Sequence, residues 1–260
     1  MKIALEGFAG EIPKVQPRYL QPQFAQSTTG ARLNRGDLEP MRGAVSIGTA
    51  AAGADRIYLY GSTWLSWTVD ADAVPGPVAQ DRLYVTRANG APQMLYSGSY
   101  YGLALAAPVN APTLTALTAP DPELVETVLY AVTWVTSLGE ESLPSPISTP
   151  LDWSPGVVVR VATETTPPAS RLVTHKRIYR SVTGTSGTTD LYFVAERPAA
   201  EATWDHDLTA DPIQEAISSL DYDPPPSTLS GITAMPNGIL AAFSGRELLF
   251  CEPLTKMTLC

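Results

Sequence analysis

His175 and His206 are the only imidazoles among the 260 residues. His206 sits in Trp204-Asp205-His206-Asp207, a grouping that could bind a cation or move a proton. An Asp-rich stretch after a strand reads better as a turn whose carboxylates accept from their own backbone. His175 precedes Lys176-Arg177 with no Ser or Cys elbow nearby. Glu140 and Glu141 fall on a turn beside proline-rich chain, where solvated carboxylates are expected. Asp70 and Asp72 lie at one strand end, and two neighbours there cannot flank a scissile bond from opposite sides. G-x-S-x-G, P-loop and G-x-G-x-x-G patterns are all missing. Cys251 and Cys260 have no C-x-x-C or histidine cluster to make a zinc site, and Cys251 reads as a buried small hydrophobe. These residues predict no catalytic group, no metal and no cofactor.

The elements that would have to position any site are strands. Glu126 to Thr136 alternates, with Val128, Tyr130, Val132 and Trp134 on one face and Leu129, Ala131, Thr133 and Val135 on the other. Both faces are apolar, so this strand is covered on both sides. Leu138 to Pro150 then forms a turn at Gly139 and a proline-locked exit, since Pro144 and Pro146 have no N–H to give a ladder.

Around it, four short strands are expected at 56–60, 63–70, 82–86 and 93–96, with Asn89-Gly90 as a hairpin turn. Residues 109–127 read as a linker, and strands near 157–161, 177–182, 191–195 and 202–204 follow, with a hairpin tip at 183–190. Six strands in about 100 residues match an immunoglobulin-like sandwich. A short helix is expected over Asp211–Leu220, and Gly238 to Cys251 reads as two strands around Ser244-Gly245. The fold class is all-β: incomplete propeller-like antiparallel sheets, an inserted immunoglobulin/fibronectin-like β-sandwich and an extended N-terminal arm. The expected divisions are 1–45 (arm), 46–108 (propeller-like sheet), 109–222 (sandwich) and 223–260 (strands returning to the propeller-like region).

Charged residues make up only 17% of the chain, below the roughly 25% of ordinary domains, which suggests that part of the surface meets other subunits. The net charge is −9, and residues 109–215 hold most of it, with 14 acidic against 6 basic side chains. Such a domain is unsuited to gripping a duplex, though nucleic acid could slide past it without sticking. No signal-peptide pattern or 18-residue apolar run is present, so a soluble chain made inside the cell is expected, with no membrane partner. Residues 1–45 are broken by Pro13, Pro17, Pro22 and Pro40. Phe8, Ile12, Tyr19, Leu20 and Phe24 are candidate anchors of this arm at a subunit interface, and Arg18, Arg32, Arg35 and Arg42 could pair with an acidic neighbouring subunit.

Three phrases carry a resemblance. The first is Phe8-Ala-Gly-Glu-Ile-Pro-Lys-Val-Gln-Pro-Arg-Tyr-Leu with Pro40-Met-Arg. The second is Val132-Thr-Trp-Val-Thr-Ser-Leu-Gly-Glu-Glu-Ser-Leu-Pro-Ser-Pro with Arg177-Ile-Tyr-Arg-Ser. The third is Met235-Pro-Asn-Gly-Ile-Leu-Ala-Ala-Phe-Ser-Gly with Phe250-Cys-Glu-Pro. Together they resemble the tail nozzle or hub proteins of short-tailed double-stranded-DNA bacteriophages. The resemblance implies a virion structural protein, a homo-oligomer (a ring of six), seated below portal and adaptor proteins, through which DNA passes without sequence-specific binding. It implies synthesis in the host cytoplasm and residence in the tail. Two departures stand out. Members of that family continue into further blades where this chain stops at Cys260, so the expected propeller is either truncated or completed by another chain. Gly-Glu-Glu-Ser-x-Pro-Ser is a phrase of late fibronectin strands, yet here it follows an early one. The alternative is a receptor- or glycan-binding tail protein, for which exposed aromatics are needed. Trp64, Trp67, Trp134 and Trp204 sit in strand patterns that place them in cores, and Trp153 alone looks loop-borne.

Overall fold

The computed structural model describes residues 7, 9–32, 39–41, 43–77, 81–183, 189–207, 215–221, 223–236 and 238–251. The chain is all-β, and no helix among the described residues reaches seven residues. Two compact units divide it, residues 1–49 and 50–260.

In the first unit, β1 (Gly10–Glu11) runs parallel to β2 (Phe24–Ala25), and β3 (Ala31–Arg32) pairs with β4 (Glu39–Pro40). A 3-10 turn at Pro17–Tyr19 lies between β1 and β2, with proline at a position where the missing N–H costs nothing. Residues 26–30 between β2 and β3 are irregular, in keeping with the low helix propensity of Thr28, Thr29 and Gly30.

The second unit opens with β5 (Arg56–Tyr60) and β6 (Thr63–Trp67), an isolated hairpin. β7 (Ala71–Pro75), β8 (Arg82–Arg87), β9 (Gly90–Tyr96) and β10 (Ser99–Gly102) form one antiparallel sheet in the order β10-β9-β8-β7. The tight turn at Ala88-Asn89 closes β8 on β9. β8 alternates between two cores. Leu83 and Val85, with Leu95 of β9, pack under Tyr58, Tyr60, Leu65 and Trp67 of the hairpin. Tyr84 and Met94 point to the opposite side.

The sandwich follows: β11 (Thr113–Ala116), β12 (Glu126–Val128), β13 (Tyr130–Thr136), β14 (Leu151–Trp153), β15 (Val158–Ala162), β16 (Val173–Thr183), β17 (Thr189–Pro198) and β18 (Thr203–Asp207). One sheet runs β11-β15-β18 and the other β13-β16-β17. Val128, Tyr130, Val132, Val159, Val161 and Ile178 fill the space between them. Every residue of β13 is buried, because Ala131 faces a second cluster with Tyr179, Leu191 and Ile217.

The exit after β13 returns along its free edge. The N–H groups of Ser142, Ser145 and Ser148 donate to the carbonyls of Trp134, Val132 and Tyr130 at 2.9, 2.8 and 2.9 Å. Their Oγ atoms accept from the N–H groups of the same three residues at 2.9, 3.1 and 3.0 Å. Three residues of this segment therefore match two of the strand. A side-chain oxygen stands in for the acceptor that an ordinary strand would present, which lets Pro144 and Pro146 run beside a central strand.

With that edge counted, the sheets follow the immunoglobulin-type orders G-F-C-C′ and A-B-E. β13 occupies the F place. The Gly-Glu-Glu-Ser phrase thus follows an F-type strand, as in fibronectin domains. It comes early because the chain passes from β11, at the A place, to β13 with only the short β12 between.

β19 (Ser230–Ala234), β20 (Leu240–Ser244) and β21 (Glu247–Phe250) close the unit as a three-stranded sheet. Ile232, Leu240 and Ala242 pack on Tyr84, Met94 and Leu103. Cys251 is buried in that core, its Sγ accepting from Leu240 N–H at 3.1 Å, while Cys260 lies outside the described residues. Of the expected helix over Asp211–Leu220, residues 211–214 lie outside the described residues. Tyr192 and Ala216 form a β-bridge, and a 3-10 turn spans Ser219–Asp221.

Candidate functional site

Glu140 is buried, contrary to the solvated turn expected for it. Gly139 takes φ +72° beside it, and the turn folds Glu140 back beneath Thr136, whose Oγ1 donates to the carboxylate at 3.2 Å. Two guanidinium groups complete the shell. Arg82, from β8, donates to Oε1 at 3.1 Å, and Arg171, from the loop before β16, donates to Oε2. Arg171 also donates to the carbonyls of Gly102 and Leu103 at 2.5 and 2.9 Å. One carboxylate between two arginines thus ties the sandwich to the β7–β10 sheet. Such a cluster, dry and saturated with donors, holds geometry rather than substrate.

Glu141, the next residue, faces the opposite side of the turn. It accepts from Thr133 Oγ1 at 2.6 Å, Arg177 at 2.8 Å and Tyr179 Oη at 2.5 Å. Burial and the bond to Glu141 raise the Tyr179 pKa above that of a free phenol, so its proton stays in place. These groups line a cleft of about 230 Å³ with Phe193 and Glu215. Within it the Glu141 carboxylate is taken up by Thr133, Arg177 and Tyr179.

Lys176 is buried at an inward position of β16, two residues from Ile178. Its Nζ donates to Thr163 Oγ1 at 2.6 Å and to the carbonyls of Glu164 and Glu201. Burial pushes its pKa down to about 8, with Glu201 and Glu164 opposing the shift.

The Trp204-Asp-His-Asp stretch is strand β18, not a turn. Asp205 faces outward and pairs with Arg160 on β15 at 2.7 Å, which lowers its pKa through the hydrogen bond to the guanidinium. His206 points inward, 2.7 Å from Tyr130 Oη and stacked on Trp204 with ring centroids 4.5 Å apart. Period-two alternation separates the acids from the imidazole, so no ligand set assembles. His175 is exposed and bonds the neighbouring Thr174 at 2.9 Å. Asp70 pairs with Arg56 at 2.5 Å. Among the described residues, no group of three His, Cys, Asp or Glu side chains could hold a metal ion.

No protein-family model and no curated protein matches the chain.

Among the arm candidates, Tyr19 is exposed with the Arg18 guanidinium 4.6 Å over its ring, and Arg32 is exposed. Ile12, Leu20 and Phe24 are half-buried, and Ile12 N–H donates to the Ala25 carbonyl at 2.8 Å. Phe8, Arg35 and Arg42 lie outside the described residues.

Two of the tryptophans fall elsewhere than expected. Trp153 is buried in β14, its Nε1 donating to Val157 at 2.7 Å, so it offers nothing to a ligand. Trp64 is 48% exposed on the outer face of the β5–β6 hairpin, beside Ile57 at 59% and Leu59 at 49%. The sheet β19–β21 does the same with Phe243, Leu248 and Phe250, at 50%, 48% and 49%. Leu59 opposes Trp64, and Phe243 opposes Leu248. Sequence reasoning missed both faces because a covered and an uncovered sheet face share the same alternation.

Proposed function

We propose that the chain is a structural component of a bacteriophage tail, part of a nozzle or hub ring below the portal and adaptor that frames the path of ejected DNA. The reading rests on the resemblance of the arm, the Gly-Glu-Glu-Ser segment and the C-terminal hairpin to that family. One structural observation carries the assembly part of it: apolar sheet faces at Ile57, Leu59 and Trp64 and at Phe243, Leu248 and Phe250 are open to solvent. Contiguous apolar patches of this kind mark interaction surfaces. The buried Glu140 cluster supports it as well, because a load-carrying ring gains from sheet and sandwich moving together. A sandwich segment with 14 acidic and 6 basic residues repels phosphates, which suits a wall past which DNA slides.

Reconstruction of an assembled particle with this chain labelled tests the reading. Density coaxial with the portal is the expected result. Copies dispersed singly on the capsid exterior, or turnover of a substrate by the purified chain, would overturn it. Exposed Trp64 also favours a second reading, a glycan-binding tail protein, since indole faces stack on sugars. Glycan titration monitored by Trp fluorescence separates the two.

A further inference from the structure

The hairpin β5–β6, the sheet β7–β10 and the sheet β19–β21 are three layers in that order. Leu83, Val85 and Leu95 put the hairpin on one face of the middle sheet, and Tyr84 and Met94 put the C-terminal sheet on the other. The outer faces of the first and third layers therefore lie on opposite sides of the stack. Both are apolar. Ile57, Leu59, Trp64 and Ser66 alternate onto one, and Ala241, Phe243, Leu248 and Phe250 onto the other. Neither set includes an ionisable side chain. Stacked-repeat proteins end in layers whose outer face is polar, because an apolar end keeps recruiting further layers. Here the large exposed side chains of both outer faces are apolar, Ile57, Leu59 and Trp64 on one and Phe243, Leu248 and Phe250 on the other.

We propose that the outer face of β5–β6 in one copy packs against the outer face of β19–β21 in the next, a head-to-tail contact repeated from copy to copy. The inference rests on the homo-oligomer reading above and names its contact surface. Three features select this arrangement. The uncharged faces suit an uncharged partner and not nucleic acid or a charged domain. A two-fold dimer would bury one face twice and leave the other in water, whereas one head-to-tail contact covers both faces of every copy. The two faces also match in kind the layers already joined inside the chain, where Tyr58, Tyr60, Leu65 and Trp67 lie on Leu83, Val85 and Leu95. Each end then supplies the layer that the other lacks.

Two full-length variants test it. The first carries Leu59→Glu and Trp64→Thr, and the second carries Leu248→Thr and Phe250→Glu. All four positions are exposed, so circular dichroism and melting should match wild type. If either variant is misfolded, Ile57→Thr and Leu248→Thr replace the pairs. Sedimentation then reads association for wild type, each variant and their equimolar mixture. The expected result is an assembled wild type, self-association weakened about 30-fold or more in each variant, and a 1:1 pair in the mixture, where one good face remains on each partner. One variant self-associating while the mixture forms no pair would mean like-to-like contact and overturn the proposal. Assembly undiminished in both variants would overturn it too, while leaving the ring reading standing. A wild type monomeric at every concentration would overturn both.

Discussion

Arg171 and Glu140 form an ion pair in which each side chain is 1% exposed, and Arg82 completes it from a different sheet at 3.1 Å. A carboxylate buried between two guanidinium groups is costly to desolvate, and the cost is offset only while all three are present. Glu140→Gln should therefore destabilise the fold by about 3–5 kcal/mol, by stranding two buried cations. Glu196→Gln, which breaks a half-exposed pair with Arg177, should cost at most about 1 kcal/mol. Guanidinium unfolding midpoints compare them. Equal effects would contradict the clamp.

Ser142, Ser145 and Ser148 each give β13 a side-chain acceptor in place of a backbone carbonyl. Each Ser→Ala change leaves a buried N–H without its partner, at about 1–3 kcal/mol. Hydrogen exchange at Trp134, Val132 and Tyr130 should accelerate in step with the serine removed. Unchanged exchange would mean that the backbone bonds alone hold the edge.

Lys176 makes stability depend on alkaline pH. Its pKa is about 8 in the folded chain against the ordinary lysine value of 10.5, so between those values the unfolded chain holds more protons than the folded one. Stability then rises with pH from about 8 to 10.5, as the cost of burying the charge disappears. At a 1.4 kcal/mol difference per pH unit the gain is about 3 kcal/mol. Lys176→Met should flatten that rise when urea unfolding is followed across the window. A parallel pH profile in the variant would refute it.

Gly231 has φ +65°, and a methyl group there would lie 3.2 Å from the Phe243 ring. Gly231→Ala should cost about 1–2 kcal/mol in strain and tilt the ring that heads the outer face of β19–β21. A thermal melt reads the first effect. No change in melting would show that the ring moves aside freely.

Strand positions were legible where the alternation was strong. β13, β15, the β8–β9 hairpin and the β20–β21 turn stand where Tyr130 to Thr136, Val157 to Val161, Asn89-Gly90 and Ser244-Gly245 place them. β7, β10 and β19 went unread, because Pro75, Gly102 and Gly231 look like punctuation in a strand. Lys176 carried a readable signal, a charge two residues from Ile178 on the inward face. The Ser-x-x-Ser-x-x-Ser period of the edge was visible too, but a period of three belongs to no regular sheet.

By itself the sequence determined the all-β character, the doubly covered central strand and the scarcity of charge, because alternation and turn chemistry act over a few residues. Tertiary structure alone decided that Glu140 is sealed between Arg82 and Arg171, since those three residues are 58 and 31 positions apart and only the packing of sheet on sandwich brings them together. It also decided which apolar faces stay in water. Local pattern says that a face is apolar, but whether another layer lies on it depends on how distant strands stack.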